Sequence, residues 1–186
     1  MDVLQWLANF SVAANLVQEI RAGRIQVGSN TERGVQELTP AIIDNGATTV
    51  QVDVGRFVPL AEFLFDDPKS VLPEYELALR NVKSLTEEVG AQMVVVYFTT
   101  ASVVYSPYIN NPSTFIIGDV RNQRYISDWL ERKSSEIGFF YIDTAPELQK
   151  AAAHSPLLYA DHFTQAGNDV VATIVASALS QVGLLP

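Results

Sequence analysis

The sequence contains no cysteine, which removes disulfides, zinc–thiolate sites, iron–sulfur clusters and a cysteine nucleophile from consideration. Histidine is nearly absent too, with only His154 and His162. Basic residues are scarce: 12 Lys and Arg stand against 21 Asp and Glu, for a net charge of −9. That balance gives no electrostatic footprint for nucleic acid or an anionic membrane. No apolar run approaches the ~18 residues of a membrane span. The opening Met1-Asp2-Val3-Leu4-Gln5-Trp6 lacks the basic start of a signal peptide, and Gln5, Asn9, Asn15 and Gln18 interrupt its apolar residues. The chain as given therefore reads as soluble, and the missing cysteines leave its cellular compartment open.

What is present suits a globular protein. The 186 residues are 48% apolar and 18% charged, which argues against disorder and is enough for one domain with a real core. We read residues 1–186 as a single domain, with an irregular helix and hairpin region over 1–72 and regular helix–strand units over 73–186. Asp2 can cap a first helix with Val3, Leu7, Phe10, Ala14 and Val17 at helical spacing, ended by Gly23. Thr48 to Gly55 alternates like a half-buried strand, and Asn45-Gly46 predicts a hairpin with Ala41 to Asp44. An irregular excursion is expected from Pro59 to Pro73, with a solvated turn at Asp66-Asp67-Pro68.

From Pro73 the pattern is regular. Pro73 suits a first helical position; Ala78, Val82, Leu85 and Val89 make one face, and Gly90 closes the helix. Met93-Val94-Val95-Val96-Tyr97-Phe98 follows without polar alternation, as in a parallel strand covered on both faces. The same order then repeats. A helix carrying Ile126, Trp129 and Leu130 ends near Gly138, Phe139 to Asp143 is the next buried strand, and Thr144-Ala145-Pro146-Glu147 opens another helix. The last helix begins at the N-cap Thr164, shows Val170, Val171, Ile174, Val175, Ala178, Leu179 and Val182 on one face, and ends at Gly183. Successive helix–glycine–strand units imply right-handed crossovers. The fold class expected is α/β, a three-layer α/β/α sandwich with a mainly parallel, flavodoxin-like sheet, incomplete on its N-terminal side.

Asp161 and His162 stand just before that last helix, where sites gather in open α/β sheets. A histidine there can take a proton from a hydroxyl nucleophile or water. Against this stands the plain reading of a loop histidine that hydrogen-bonds locally. Asp161 is adjacent to it, and neighbouring side chains usually point apart, so it orients the ring only by reaching around the loop or serves as a turn residue. His154, after a helix end, reads as a partner for the helix C-terminus. Tyr97, Tyr105, Tyr108 and Tyr159 suit core packing or the rim of a sugar or acyl cleft.

Three segments, in this order and spacing, resemble the C-terminal half of the SGNH (GDSL-type) hydrolase superfamily. They are Glu88 to Thr100 with Val104-Tyr105 downstream, Gly138 to Leu148, and Tyr159 to Gly167 with the Ala/Val helix that follows. They cover about half the chain. The resemblance implies ester hydrolysis or acyl transfer with His162 as the catalytic histidine and no metal or organic cofactor. It also implies a small-molecule or glycan ester as substrate.

The departures are specific. The family's acid lies three residues before the histidine, where this chain has Tyr159; either Asp161 replaces it in a shortened loop, or the site runs as a Ser-His pair. The family's Gly-Asp-Ser is absent, and Gly28-Ser29-Asn30-Thr31 is the nearest match, with Ser29 as nucleophile. Gly118-Asp119-Val120 has the glycine and the acid without a serine. Gly55 stands where an oxyanion glycine can be supplied, Tyr159 joins it as a substrate-side candidate, and the family's Gly-x-Asn-Asp is missing. Either the site is intact but diverged around Ser29, or the nucleophile half lies outside this chain. The competing class is a non-catalytic α/β module that binds a glycan or a partner chain. An incomplete sheet would leave an apolar edge, the condition for a homodimer.

Overall fold

The computed structural model describes residues 38–43, 49–53, 68–155, 157–159 and 162–185, all within the unit Gln36–Pro186. The expected helix from Asp2, the Gly28 to Thr31 turn, Asn45-Gly46 and Asp66-Asp67 lie outside the described residues. What is described mixes helix and strand, with one antiparallel and one parallel strand pair.

Strands β1 (Leu38–Ile42) and β2 (Thr49–Asp53) form the hairpin, with Ile42 opposite Thr49 and Leu38 opposite Asp53. Its alternation has the period of two that puts one face inward: Ala41, Val50 and Val52 are buried, whereas Ile42 is 56% exposed. The strand begins three residues earlier than the sequence suggests, because Pro40 lies inside it, opposite Gln51. Proline reads as a strand breaker, yet an edge strand tolerates its missing N–H.

Helix α1 (Pro68–Glu88) also starts early, with Pro73 inside it rather than at its first position. Pro68 takes the place where a missing N–H costs nothing, and Pro73 follows within the next turn and a half. Its half-buried stripe runs through Tyr75, Leu79, Val82 and Thr86, while Leu85 and Val89 of the expected face are exposed. Strand β3 (Val94–Tyr97) follows, then the short helix α2 (Ala101–Tyr105) and a 3-10 turn over Ser106–Tyr108. Helix α3 (Thr114–Ile137) is capped by Ser113, whose hydroxyl accepts from Ile116 N, and ends at Gly138 with φ of 86°, a left-handed geometry that glycine adopts without penalty. Glu76 of α1 binds Lys133 of α3 at 2.8 Å, tying the two helices together at the surface.

Strand β4 (Phe140–Asp143) pairs in parallel with β3, Val94 opposite Phe140 and Tyr97 opposite Asp143. All four β3 residues are half-buried; among the described residues the pair is not covered on both faces as the sequence suggests. Helix α4 (Ala145–Ala152) leaves β4 at once, and α5 (Gln165–Gln181) ends the described chain. Thr144 precedes α4 but does not cap it with its side chain. Its hydroxyl instead donates to the Tyr97 carbonyl at 2.7 Å, and Asp143 accepts from Ala145 N at 2.8 Å in its place. The main core unites the hairpin with α2, α3 and α4, through Ala41, Ile43, Val50, Val52, Val104, Tyr105, Ile116, Leu148 and Leu158. Val170, Val171 and Ile174 of α5 pack on its margin. No described helix is long and apolar enough to cross a membrane.

Candidate functional site

Because β3 and β4 run parallel, their carboxyl ends and the starts of α2 and α4 meet at one edge, where ligands bind in open α/β sheets. Two features lie there. One is the loop that carries His162, and the other is a polar cavity.

The loop is built as a small hairpin seated on the core. Tyr159 and Phe163 form an isolated antiparallel bridge, so His162 lies at its tip. At its base Thr164 N donates to Leu158 O at 2.9 Å, and the Thr164 hydroxyl donates to the Leu157 carbonyl. Leu158 is fully buried, and its N–H donates to the hydroxyl of Tyr105 at 3.1 Å, with Tyr159 N donating to the same oxygen at 3.3 Å. Tyr105 is itself fully buried, and burial holds its phenol above the usual range.

Aromatic contacts then fix the loop against the sheet edge. Tyr159 donates its hydroxyl to the Thr99 carbonyl at 2.6 Å, which commits its single proton. Burial, with lesser contributions from Tyr105 and Tyr97, raises the Tyr159 phenol far above its ordinary pKa. Its ring packs on Phe163 with centroids 4.2 Å apart, and Phe163 meets Phe98 edge-on at 6.2 Å. Phe98 directly follows β3 and is 54% exposed. The loop therefore reaches the carboxyl end of β3.

At the tip, His162 is exposed, and its ring makes no hydrogen bond to any described residue. Thr164 caps α5 as the sequence predicts, its hydroxyl accepting from Gly167 N at 3.2 Å. Gly167 explains its own identity. A Cβ there would lie 2.2 Å from Leu158 O and 2.9 Å from Phe163 Cδ1, so only glycine lets the loop lie this close to the helix. Of the other expected site residues, Ser29, Gly55 and Asp161 lie outside the described residues, and nothing here brings them to His162. His154 sits exposed in the turn after α4, its N–H donating to Ala151 O at 3.0 Å.

The cavity has a volume of about 160 Å³ and opens between α3 and the ends of β3 and β4. Tyr97, Thr99, Gln123, Arg124, Ser127, Asp128, Asp143 and Gln149 supply its polar wall. Several of these groups are already held in place. Ser127 donates to Asp143 Oδ2 at 2.8 Å, which leaves the Tyr141 hydroxyl to donate to Ser127 at 2.9 Å. Tyr97 donates to the Gln123 carbonyl at 3.0 Å beside the Gln123 amide, and Gln149 Nε2 donates to Val103 O at 2.7 Å. Burial raises the Tyr97 and Tyr141 phenols well above their ordinary range, so both stay neutral donors.

Thr99 differs from its neighbours. It is 4% exposed, yet its hydroxyl has no hydrogen-bond partner. It is near enough to Tyr97 to hold that phenol down slightly, but outside the geometry of a true hydrogen bond. At the rim, neither Arg124 nor Asp128 forms an ion pair with a described residue. Among the described residues no group of His, Asp and Glu is arranged to hold a metal ion.

The sequence reading singles out His162 but not this cavity. Its polar residues come from β3, α3, β4, α4 and the loop after β3, and of them the sequence reading names only Tyr97, as a residue of the core or of a cleft rim. Asp119, from Gly118-Asp119-Val120, is buried and accepts from Thr100 Oγ1 at 2.9 Å, a structural tie between α3 and the start of α2. Scans against family models, curated proteins and solved structures give no match to this chain.

Proposed function

We propose that this chain is a serine ester hydrolase or acyl transferase of the SGNH type, with His162 as its general base. The observation that supports this reading best is the seating of His162. A half-buried hairpin loop holds it at the carboxyl end of a parallel strand, solvent-accessible and one residue before Phe163, which packs against that strand's end. Among the described residues its ring has no hydrogen-bond partner, and the side chain is exposed, as a general base that meets a substrate-side proton must be.

The reaction follows ordinary acyl-transfer chemistry. His162 takes the proton of a serine hydroxyl as its oxygen attacks the ester carbonyl, and the carbonyl π electrons move onto oxygen. The Gly55 N–H would donate to that oxyanion. Collapse breaks the bond to the alcohol oxygen, which receives the proton from His162. Water, or an acceptor hydroxyl, then attacks the acyl-serine, again losing its proton to His162, and serine is regenerated. Asp161 would orient the ring, and Tyr159 positions the loop. The scaffold in this reading is the three-layer α/β/α fold, of which β3 and β4 form one part. Hydrolysis of p-nitrophenyl acetate and short homologues by wild type, Ser29→Ala and His162→Ala tests the assignment. Loss in both variants supports it, and activity that survives His162→Ala ends it.

A second reading has one observation in its favour. The polar cavity is lined without His162, as expected of a module that binds rather than reacts. Absence of any esterase activity with retained ligand binding would select it.

A further inference from the structure

Among the described residues, β3 and β4 pair with each other and with no other strand. Parallel strands ordinarily lie inside a wider sheet, and here both edges of the pair are open. The phase of the ladder is fixed, because Phe140 N donates to Met93 O at 2.9 Å and Thr144 N to Tyr97 O at 3.3 Å. Val95 and Tyr97 therefore direct their backbone groups to β4, and the N–H and C=O of Val94 and Val96 point away from it.

Natural sheets guard open edges with charged residues or proline. Strand β4 ends in Asp143, β2 ends in Asp53, and β1 contains Pro40. Strand β3 has no such guard. It reads Val94-Val95-Val96-Tyr97, and each of these half-buried residues keeps some accessible surface. Apolar surface continues on either side of it in the chain, with Val89 77% and Phe98 54% exposed.

The occupant of this edge must itself be a free, apolar and uncharged strand, and β3 of a second copy meets each condition. A two-fold axis at Val95 sets Val94 opposite Val96 of the second copy, and Val96 opposite its Val94. Each such pair exchanges both backbone bonds, so every outward N–H and C=O of the two valines finds a partner. The opposed side chains are all valines, which pair well across strands. The net charge of −9 makes two copies repel, and at β3 contact brings no like charges together. Glu87 and Glu88 precede the strand, and antiparallel pairing sets that end of one copy against the uncharged Thr99-Thr100 end of the other.

We infer that this chain forms a two-fold homodimer by antiparallel pairing of β3 with β3 of a second copy, giving one sheet in the order β4-β3-β3-β4. The inference stands on the strand edge and does not require His162 to be catalytic.

Sedimentation equilibrium of the full chain over a dilution series tests it. Twice the mass of one chain is expected at micromolar concentration, with more dimer at higher salt, which screens the repulsion. Because the chain has no cysteine, single-cysteine variants report contacts cleanly. Val95→Cys sets two thiols on a non-hydrogen-bonded pair with Cα atoms about 4.5 Å apart, within disulfide reach, and should cross-link under mild oxidation. Ser135→Cys, exposed on α3, should not. Val96→Pro deletes an outward N–H while sparing the bonds to β4, and should weaken association about tenfold or more. If that variant does not fold, amide exchange of the wild type decides, since protection of the Val94 and Val96 N–H should rise with protein concentration. A monomer at every concentration, or a dimer that does not cross-link through Val95→Cys, would overturn the inference. So would protection of these amides independent of concentration, which would mean that another part of the same chain covers the edge.

Discussion

Replacing Gly167 with alanine tests the seating of the His162 loop most sharply. In an open helical position this change removes backbone freedom from the unfolded chain and stabilises by up to about 1 kcal/mol. Gly118 supplies that reference, since a Cβ there meets nothing within 4 Å. At Gly167 the new Cβ would sit 2.2 Å from Leu158 O, a backbone atom, and 2.9 Å from Phe163 Cδ1. Phe163 can turn slightly, but Leu158 O cannot move alone. It accepts from Thr164 N, and the same residue's N–H is held by Tyr105 inside the core. Relief therefore lifts the whole loop off α5 and stretches bonds on both sides of it.

Overpacking of this kind costs about 1–3 kcal/mol, and a weakened buried hydrogen bond adds about 1 kcal/mol. After the helix-propensity gain of about 1 kcal/mol is subtracted, Gly167→Ala should destabilise by about 2 kcal/mol net. In a chain of this size that lowers Tm by about 4–8 °C. Gly118→Ala should raise it. Urea denaturation of both variants beside wild type measures the difference. If Gly167→Ala matches or exceeds wild-type stability, the loop does not lie on the helix as described, and the placement of His162 fails with it.

Other expectations concern the groups around that loop and the cavity. Tyr105→Phe removes the oxygen that accepts from Leu158 N and Tyr159 N; two donors at a largely buried site then lose their acceptor, so a loss of about 2 kcal/mol is expected in chemical denaturation, and a loss under about 0.5 kcal/mol would show they find another acceptor. Thr99→Val keeps the side-chain shape and deletes an unpartnered hydroxyl, so the empty protein should gain about 1 kcal/mol; a loss would mean the hydroxyl has a partner. Tyr97, Tyr141 and Tyr159 have phenol pKa values raised in the fold, chiefly by burial. The unfolded chain releases these protons from about pH 10 while the folded chain keeps them, so stability is full below that pH and falls above it by up to about 1.4 kcal/mol per pH unit for each phenol. Unfolding midpoints followed with phenolate absorbance should show that decline, and a flat profile between about pH 9 and pH 11 would contradict it.

The parts of this fold that the sequence made legible are those whose information is local. Gly138 after a helical stretch, the uninterrupted Val94 to Tyr97, and Thr164 before an apolar stripe each act within a few residues, and each sets an observed boundary. Prolines misled in both directions. Pro40 sits within an edge strand, which tolerates its missing N–H, and Pro73 lies past the first turn of a helix, where one backbone bond is forgone. The cap of α4 was hidden for a different reason. Thr144 has the right side chain and the right position, but its backbone is helical, with φ of −85° and ψ of −14°, rather than extended as a capping residue requires, and Asp143 takes the Ala145 N–H.

The site divides in the same way. His162 is legible because a histidine before a capped helix is a local pattern. The cavity is not, since Tyr97, Gln123, Ser127, Asp143 and Gln149 share no spacing and meet only when β3 pairs with β4. Gly167 is legible as a glycine but not as a contact, because the atom it must avoid belongs to Leu158.

The central claim is that His162 moves the proton in acyl transfer. The most direct measurement is the steady-state rate of p-nitrophenyl acetate hydrolysis by wild type and His162→Ala, each shown to be folded by its urea transition. The account predicts measurable turnover in wild type and a fall in kcat of about 10²–10⁴ in the variant, the usual contribution of a positioned general base. Equal rates in the two proteins, or no turnover by the folded wild type, would contradict it.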